Sequence, residues 1–392
     1  MKKKGKYELS NFSTHINPIF DIHTSIDDNM MRASSLHVLI PKIPTVNPTQ
    51  FHDFLGYKIA NRLGVPACPI TATSNHIKLL SQLGFSVFTQ KTIRSTQHHA
   101  YPFPNVVYVE HTAPFTLAQV NTPIKYTQTH PSSMSTLTIA NSIGNSSQEL
   151  TTSLQNISDT RMILQPGQVL AASIYGAEND QRSFYQDWVF LARKVVEAGA
   201  HIVEANVSCP NIGYRNALYL DPKTLGSLVQ QLVDAINPIP LVIKVGIFPD
   251  KHLMEEVMIT IARAGARGIC GINTLSMQVL DEHNNPVFGE ARRTCGVSGA
   301  SIFNLALDWI QHAYAINKKH DLGLTIVGTG GITLPEQFDV FLYAGAAVAM
   351  SGTGTMWNPY LAAHYLQEKY YAHTSQSFDH TITRNFHEHN TM

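Results

Sequence analysis

The residues best suited to chemistry gather in Glu204-Ala205-Asn206-Val207-Ser208-Cys209-Pro210-Asn211. The segment begins as an apolar run, His201-Ile202-Val203, and is halted by Pro210. Side chains alternate along a strand, so Glu204 and Asn206 share one face while Ala205 and Val207 take the other. Two amides and a thiol where strand gives way to loop suit a ligand. The competing reading is a structural strand end with a buried cysteine, because free cysteine is often a small hydrophobe.

Lys244 lies near the end of another apolar run, Leu241-Val242-Ile243-Lys244-Val245. A lysine there is costly without a partner. It fits a Schiff-base nucleophile, a fixed cation beside an anionic cofactor, or one half of a buried ion pair. Two glycine-rich turns, Gly328-Thr329-Gly330-Gly331-Ile332 and Ser351-Gly352-Thr353-Gly354, each follow an apolar run. Such turns bring backbone N–H groups close to a phosphate, and the alternative is a pair of tight turns. Weaker single signals are Lys91, Asn141-Ser142-Ile143-Gly144, Ile272-Asn273-Thr274 and Gly296-Val297-Ser298-Gly299, the last read as opening a helical region.

These residues need a scaffold, and a rhythm supplies one. Short apolar runs occur at Pro69–Ala72, Ser86–Thr89, Val169–Ile174, Ile202–Val207, Leu241–Val245, Gly268–Ile272, Leu324–Val327 and Ala347–Met350. Between them lie helical patterns at Phe184–Ala198, Leu225–Ile236, Leu253–Ala264, Ile302–Ala315 and Pro335–Tyr343. Near-continuous apolar strands alternating with helices indicate a parallel sheet buried on both faces. Eight repeats predict an α/β fold of the closed (β/α)8, or TIM-barrel, type, in which loops after strands seven and eight bind phosphate. Residues 91–168, rich in Thr, Ser, Asn and Pro, break the rhythm and read as an insertion over the barrel mouth, without a helix of barrel type. Residues 1–60 read as an N-terminal extension of unassigned role, 61–372 as the barrel and 373–392 as a flexible tail.

Composition narrows the partners. Lys+Arg and Asp+Glu are equal at 28 each, which recommends neither nucleic acid nor an anionic membrane. No long apolar run follows the lysines at 2–4 and 6, so the expectation is a soluble protein. Four scattered cysteines (Cys68, Cys209, Cys270, Cys295) argue against a metal site or disulfide framework and for a reducing cytoplasm.

The octet 204–211 resembles the active-site segment of dihydroorotate dehydrogenases that use cysteine as base. With the other motifs in order, the likeness covers about residues 57–370. The resemblance implies an FMN-containing barrel that oxidises dihydroorotate to orotate in pyrimidine biosynthesis. By that likeness Lys91, Asn141, Ile143, Gly144, Asn206, Asn211, Asn273 and Thr274 would hold the substrate. Gly330, Gly331, Gly352, Thr353 and Gly299 would hold the FMN phosphate, and Ala72, Thr73, Lys91, Thr92, Ser173, Asn206 and Ile272 would line the flavin. Cys209 would take a proton as hydride leaves for flavin N5, Lys244 would stabilise reduced flavin, and residues 208–216 would form a lid.

Three motifs depart from the family. Asn145-Ser146-Ser147 stands where Leu-Pro-Asn is usual, Ser173 replaces an Asn, and Ala72-Thr73-Ser74 replaces Ala-Ser-Gly. A cysteine base, with no N-terminal apolar helical pair, resembles the soluble class. A homodimer and a separate electron-transfer subunit are the implied partners, with fumarate or NAD as oxidant. Competing functions are a flavin barrel for another dihydropyrimidine, a Lys244 Schiff-base lyase and a non-catalytic FMN-binding barrel.

Overall fold

The computed structural model describes residues 18–32, 38–110, 113–208 and 217–370. A short helix α1 (Ile26–Met31) is capped by Ser25, whose side chain accepts from the Asp28 N–H. Ile19, Phe20, Ile26 and Met30 are buried, and the Ile19 N–H donates to Met356 O at 3.0 Å. This part of the N-terminal region therefore packs onto the main body. Strands β1 (His52–Phe54) and β2 (Tyr57–Ile59) follow as a hairpin, turned by Leu55 at φ 52° and Gly56 at φ 88°.

The main sheet is a closed parallel barrel of eight strands. They are β3 (Leu63–Val65), β4 (Val87–Ile93), β8 (Val169–Ile174), β9 (Ile202–Asn206), β10 (Leu241–Lys244), β11 (Gly268–Gly271), β14 (Thr325–Thr329) and β15 (Val348–Met350). β15 closes on β3 through Ala349↔Leu63 and Met350↔Gly64. These strands are buried along nearly their whole length, as a sheet covered on both faces requires. The helices are α2 (Ser74–Gln82), α3 (Leu150–Ile163), α4 (Phe184–Glu197), α5 (Pro222–Ile236), α6 (Lys251–Arg263), α7 (Phe303–His320), α8 (Gln337–Tyr343) and α9 (Thr353–Trp357).

Three expectations change. The first strand is Leu63–Val65, not Pro69–Ala72; Pro69–Thr71 is a 3-10 turn in which the Thr71 hydroxyl donates to Cys68 O at 2.9 Å. Gly64 sits where a Cβ would meet Val87 O at 2.9 Å, so the residue that lets two strands approach also weakens the apolar signal. The interval 91–168 contains α3, which packs against α2 and α4. Its buried residues are Ser153, Ile157 and Thr160, so its inner face lacks an apolar stripe. Gly296–Gly299 is the end of a strand, and Gly299 then caps the 3-10 turn Ala300–Ile302 that leads into α7.

That strand, β13 (Thr294–Gly299), is part of a second closed sheet. β5 (Val106–Val109), β6 (Ile124–Thr127) and β7 (Thr138–Asn141) come from the segment after β4, while β12 (Leu275–Leu280) and β13 come from the segment after β11. β7 pairs with β13 through Asn141↔Gly296, joining the two insertions.

Candidate active site

At the C-terminal end of the barrel strands lies a pocket of about 180 Å³, walled on one side by the second sheet. Strand register places its floor. Lys244, the last residue of β10, stands opposite Asn206 of β9 and Cys270 of β11. Asn206 donates to the Thr92 hydroxyl at 3.1 Å, and Thr92 meets the Ser173 hydroxyl at 3.0 Å. Asn273 donates to Asn206 Oδ1 at 3.3 Å and to the Ser208 hydroxyl at 3.1 Å, while Ser208 donates to the Lys244 carbonyl at 3.1 Å. The Thr274 N–H donates to Asn273 Oδ1 at 2.9 Å, and Asn141 donates to Gly296 O at 2.8 Å. The Lys91 ammonium donates to Ser146 O. Nearly every amide is held by a neighbour, which fixes its orientation before any ligand arrives.

Lys244 is 6% exposed. Burial works against its charge, but interactions with Cys270 and Glu204 outweigh this and hold its pKa above the ordinary value. The Cys270 thiol is pushed up to about 12, first by burial, so it stays protonated. The carboxyl group that acts on Lys244 is that of Glu204.

The other end of the pocket is built from turns. Gly330 (φ 127°) and Gly331 (φ 84°) follow β14, and a Cβ at Gly331 would lie 2.5 Å from the Phe303 backbone nitrogen. Only glycine fits that conformation and that approach. Gly352 and Thr353 follow β15, with the Thr353 hydroxyl 2.9 Å from that of Ser298. Ile272, Ile302 and Ile332 give the apolar walls between.

Of the residues expected from sequence, Lys91, Thr92, Asn141, Ile143, Asn206, Lys244, Ile272, Asn273, Thr274, Gly330, Gly331, Gly352 and Thr353 line this pocket. Ser173 and Gly144 stand behind it, the first through Thr92 and the second where a Cβ would meet the Tyr101 ring at 3.0 Å. Gly299 (φ 103°) abuts Leu137 O and is not part of the lining. Ala72 and Thr73 are not in the wall either. Ala72 accepts from the Gln90 amide at 2.9 Å, and Thr73 caps α2 by accepting from the His76 N–H. The wall expected from them is Pro66, Ala67, Cys68 and Pro69, because the first strand ends seven residues earlier than the sequence reading placed it. Cys209, Asn211 and the rest of the expected lid up to 216, apart from Ser208, lie outside the described residues.

The sequence reading also missed Asn145 and Ser298 in the wall. Asn145 adopts φ 54°, and its amide nitrogen is buried without a hydrogen-bond partner. Its place directly after Gly144 was the available signal.

The profile of the dihydroorotate dehydrogenase family matches residues 125–371. A dihydroorotate dehydrogenase from Dictyostelium discoideum is 39% identical over 354 residues, spanning 88% of this chain and 95% of that protein. The catalytic subunit of dihydroorotate dehydrogenase B (NAD(+)) from Bacillus thuringiensis is 29% identical over 198 residues, covering 50% of this chain and 61% of that protein. Among solved structures, a DHODH from Eimeria tenella in complex with ferulenol superposes with a TM-score of 0.68 at 17% identity, covering 90% of this chain and 92% of that one, which speaks to the fold. With a profile match over most of the barrel and a relative matched almost end to end, the chain belongs to the dihydroorotate dehydrogenase family.

Proposed function

We propose that this protein oxidises dihydroorotate to orotate in pyrimidine biosynthesis, with FMN as its cofactor. The observation that carries this reading is one pocket with a buried cation on its floor, a double-glycine cradle at one end and a ring of fixed amides at the other. The residues fit FMN on physical grounds. Gly330 and Gly331 leave backbone N–H groups approachable, as a phosphate requires, and Gly352 and Thr353 complete that end. The isoleucine walls suit a flat ring, and Lys244 suits a ring that gains negative charge on reduction. When bound, FMN supplies the acceptor for the hydride, that is, for the two electrons leaving the substrate.

The chain's own residues supply the rest. Lys91 and the amides of Asn141, Asn206 and Asn273, with the Thr274 hydroxyl, are the donors and acceptors that match a carboxylate and two ring amides. Asn211 and the backbone around Ile143 and Gly144 complete that set in our reading. Cys209 accepts the proton from the carbon next to the substrate carbonyl, as hydride departs from the neighbouring carbon. Ser208, bonded to both Asn273 and the Lys244 carbonyl, anchors the chain one residue before that thiol. Lys244 balances the charge that builds on the cofactor.

The test is a visible spectrum of the purified protein before and after anaerobic addition of dihydroorotate. A yellow protein that bleaches is the expected result. Yellow without bleaching would point to another dihydropyrimidine, and a protein that takes up no FMN would remove the reading. Turnover with fumarate as sole oxidant would dispense with a separate electron-transfer subunit. No helix among the described residues is long and apolar enough to cross a membrane. We place the protein in the reducing cytoplasm, consistent with the free thiols of Cys68, Cys270 and Cys295.

A further inference from the structure

Beneath the pocket, inside the barrel, lies a carboxylate that the oxidation above does not use. Glu204 is 2% exposed and its Oε1 has no hydrogen-bond partner. It borders a cavity of about 10 Å³ shared with Phe54, Val87, Thr89, Val242, Val327 and Met350. A carboxylate among such neighbours is costly unless it answers another charge.

That charge is one layer above. On β9, Glu204 precedes Asn206 by two residues and shares its inward face. Asn206 pairs in register with Lys244, and Lys244 pairs with Cys270 on the next strand. Cys270, in register with Lys244, interacts with both Lys244 and Glu204. An ammonium can only donate and a carboxylate can only accept. A thiol that keeps its proton is able to accept from the first and donate to the second. Among the described residues the other titratable group that acts on Lys244 is Cys68, on the loop after β3, on which Lys91 of β4 also acts. Cys68 is held at about 12 by burial and carries no charge in the neutral range.

We propose that Glu204 is a positioning residue for Lys244: through the Cys270 thiol its carboxylate keeps the Lys244 amine an ammonium at the pocket floor. The cation is then present across the pH range in which the cofactor is reduced, independent of solvent. The relay itself is read from this chain's side chains, and only its consequence for the cofactor rests on the function proposed above.

Glu204→Gln removes the charge while keeping an acceptor for Cys270. The first measurement uses protein without cofactor, labelled with 13C at lysine Cε, and Lys244→Met to assign the signal. In the unsubstituted protein the Lys244 signal should stay that of an ammonium up to the ordinary lysine value of 10.5. In Glu204→Gln it should lose its proton about one to three pH units lower, the usual effect of removing a close opposite charge. An unchanged titration overturns the proposal. If Glu204→Gln does not fold, Cys270→Ala breaks the same relay and should shift the Lys244 titration in the same direction; no shift there is equally fatal.

The second measurement is the midpoint potential of bound FMN against pH. Glu204→Gln should move its alkaline break downward by the same interval, and should have no such effect in a Lys244→Met background. Equal effects in both backgrounds would mean that Glu204 acts on the cofactor directly and would overturn the relay. A protein that binds no flavin yet shows the lysine shift would sink the cofactor reading and leave the relay standing.

Discussion

The two ends of the eight-stranded barrel use the same strands for opposite purposes. At the N-terminal end Phe54 and Ile59, from the β1–β2 hairpin, plug the opening against Val87, Val169, Ile202, Val242, Val327 and Val348. The space left inside is about 10 Å³. At the C-terminal end a pocket of about 180 Å³ is rimmed by amides, an ammonium and glycine turns. Position along a single strand decides which end a residue serves. On β9 the inward series runs Ile202, Glu204, Asn206, from apolar plug through buried charge to ligand-facing amide. On β10 it runs Val242 and then Lys244. Stability is concentrated at one end and chemistry at the other, with Glu204 at the boundary.

Four substitutions would sharpen or break that separation. Cys209→Ala should keep bound flavin and lower the rate of flavin reduction by roughly 10²- to 10⁴-fold, the usual weight of a positioned base; full activity would remove Cys209 from that role. Phe54→Ala, at the plug, should cost about 3–5 kcal/mol of stability in a denaturant titration. Its rate per folded molecule should be unchanged, and a fall in that rate would show that the two ends are coupled. Lys244→Ala should slow flavin reduction in stopped-flow absorbance by about 10²- to 10³-fold, and unchanged reduction would refute its electrostatic role.

The smallest effect concerns pH. His201, at the plug end, accepts from the Leu170 N–H at 3.1 Å and meets the Tyr57 ring edge-on at 4.8 Å. Burial, and then the charge of Arg161, lower its pKa from 6.5 to about 4. Unfolded chains therefore take up a proton that the folded protein refuses. The stabilising effect of neutral His201 is complete above 6.5 and lost as pH falls toward 4. His76, buried beside Thr73, is lowered in the same way to about 4. His201→Asn should accordingly flatten, without abolishing, the fall in melting temperature across that window. An identical acid slope in the variant would show that His201 does not contribute to it.

Much of this architecture is legible in the amino-acid sequence because parallel strands buried on both faces leave near-continuous apolar runs. Lys244 stands out for the same reason: a charge inside such a run has few explanations. Where the apolar signal thins, reading fails. Leu63-Gly64-Val65 is three residues long, with a glycine at its centre and Pro66 after it. Its loss carried with it the pocket wall at Ala67 and Cys68, and sent the expectation to Ala72 and Thr73. Helix α3 escaped because Ser153 and Thr160 occupy its inner face beside Ile157. Ser298 becomes visible as a pocket residue only after two segments far apart in the chain have joined in one sheet, which no local pattern records.

That joining carries a consequence for how the protein reaches its working state. The bond from Asn141 to Gly296 spans 155 residues, and the ammonium of Lys125 reaches Asp281 O across 156. Contacts of such sequence separation form slowly, because loop closure must be met before the contact is gained. Both sheets depend on such contacts: the barrel closes only when β15 meets β3, and the small sheet only when β7 meets β13. Competence to bind should therefore lag behind global compaction during refolding, with the wall of the pocket among the last parts of the molecule to exist.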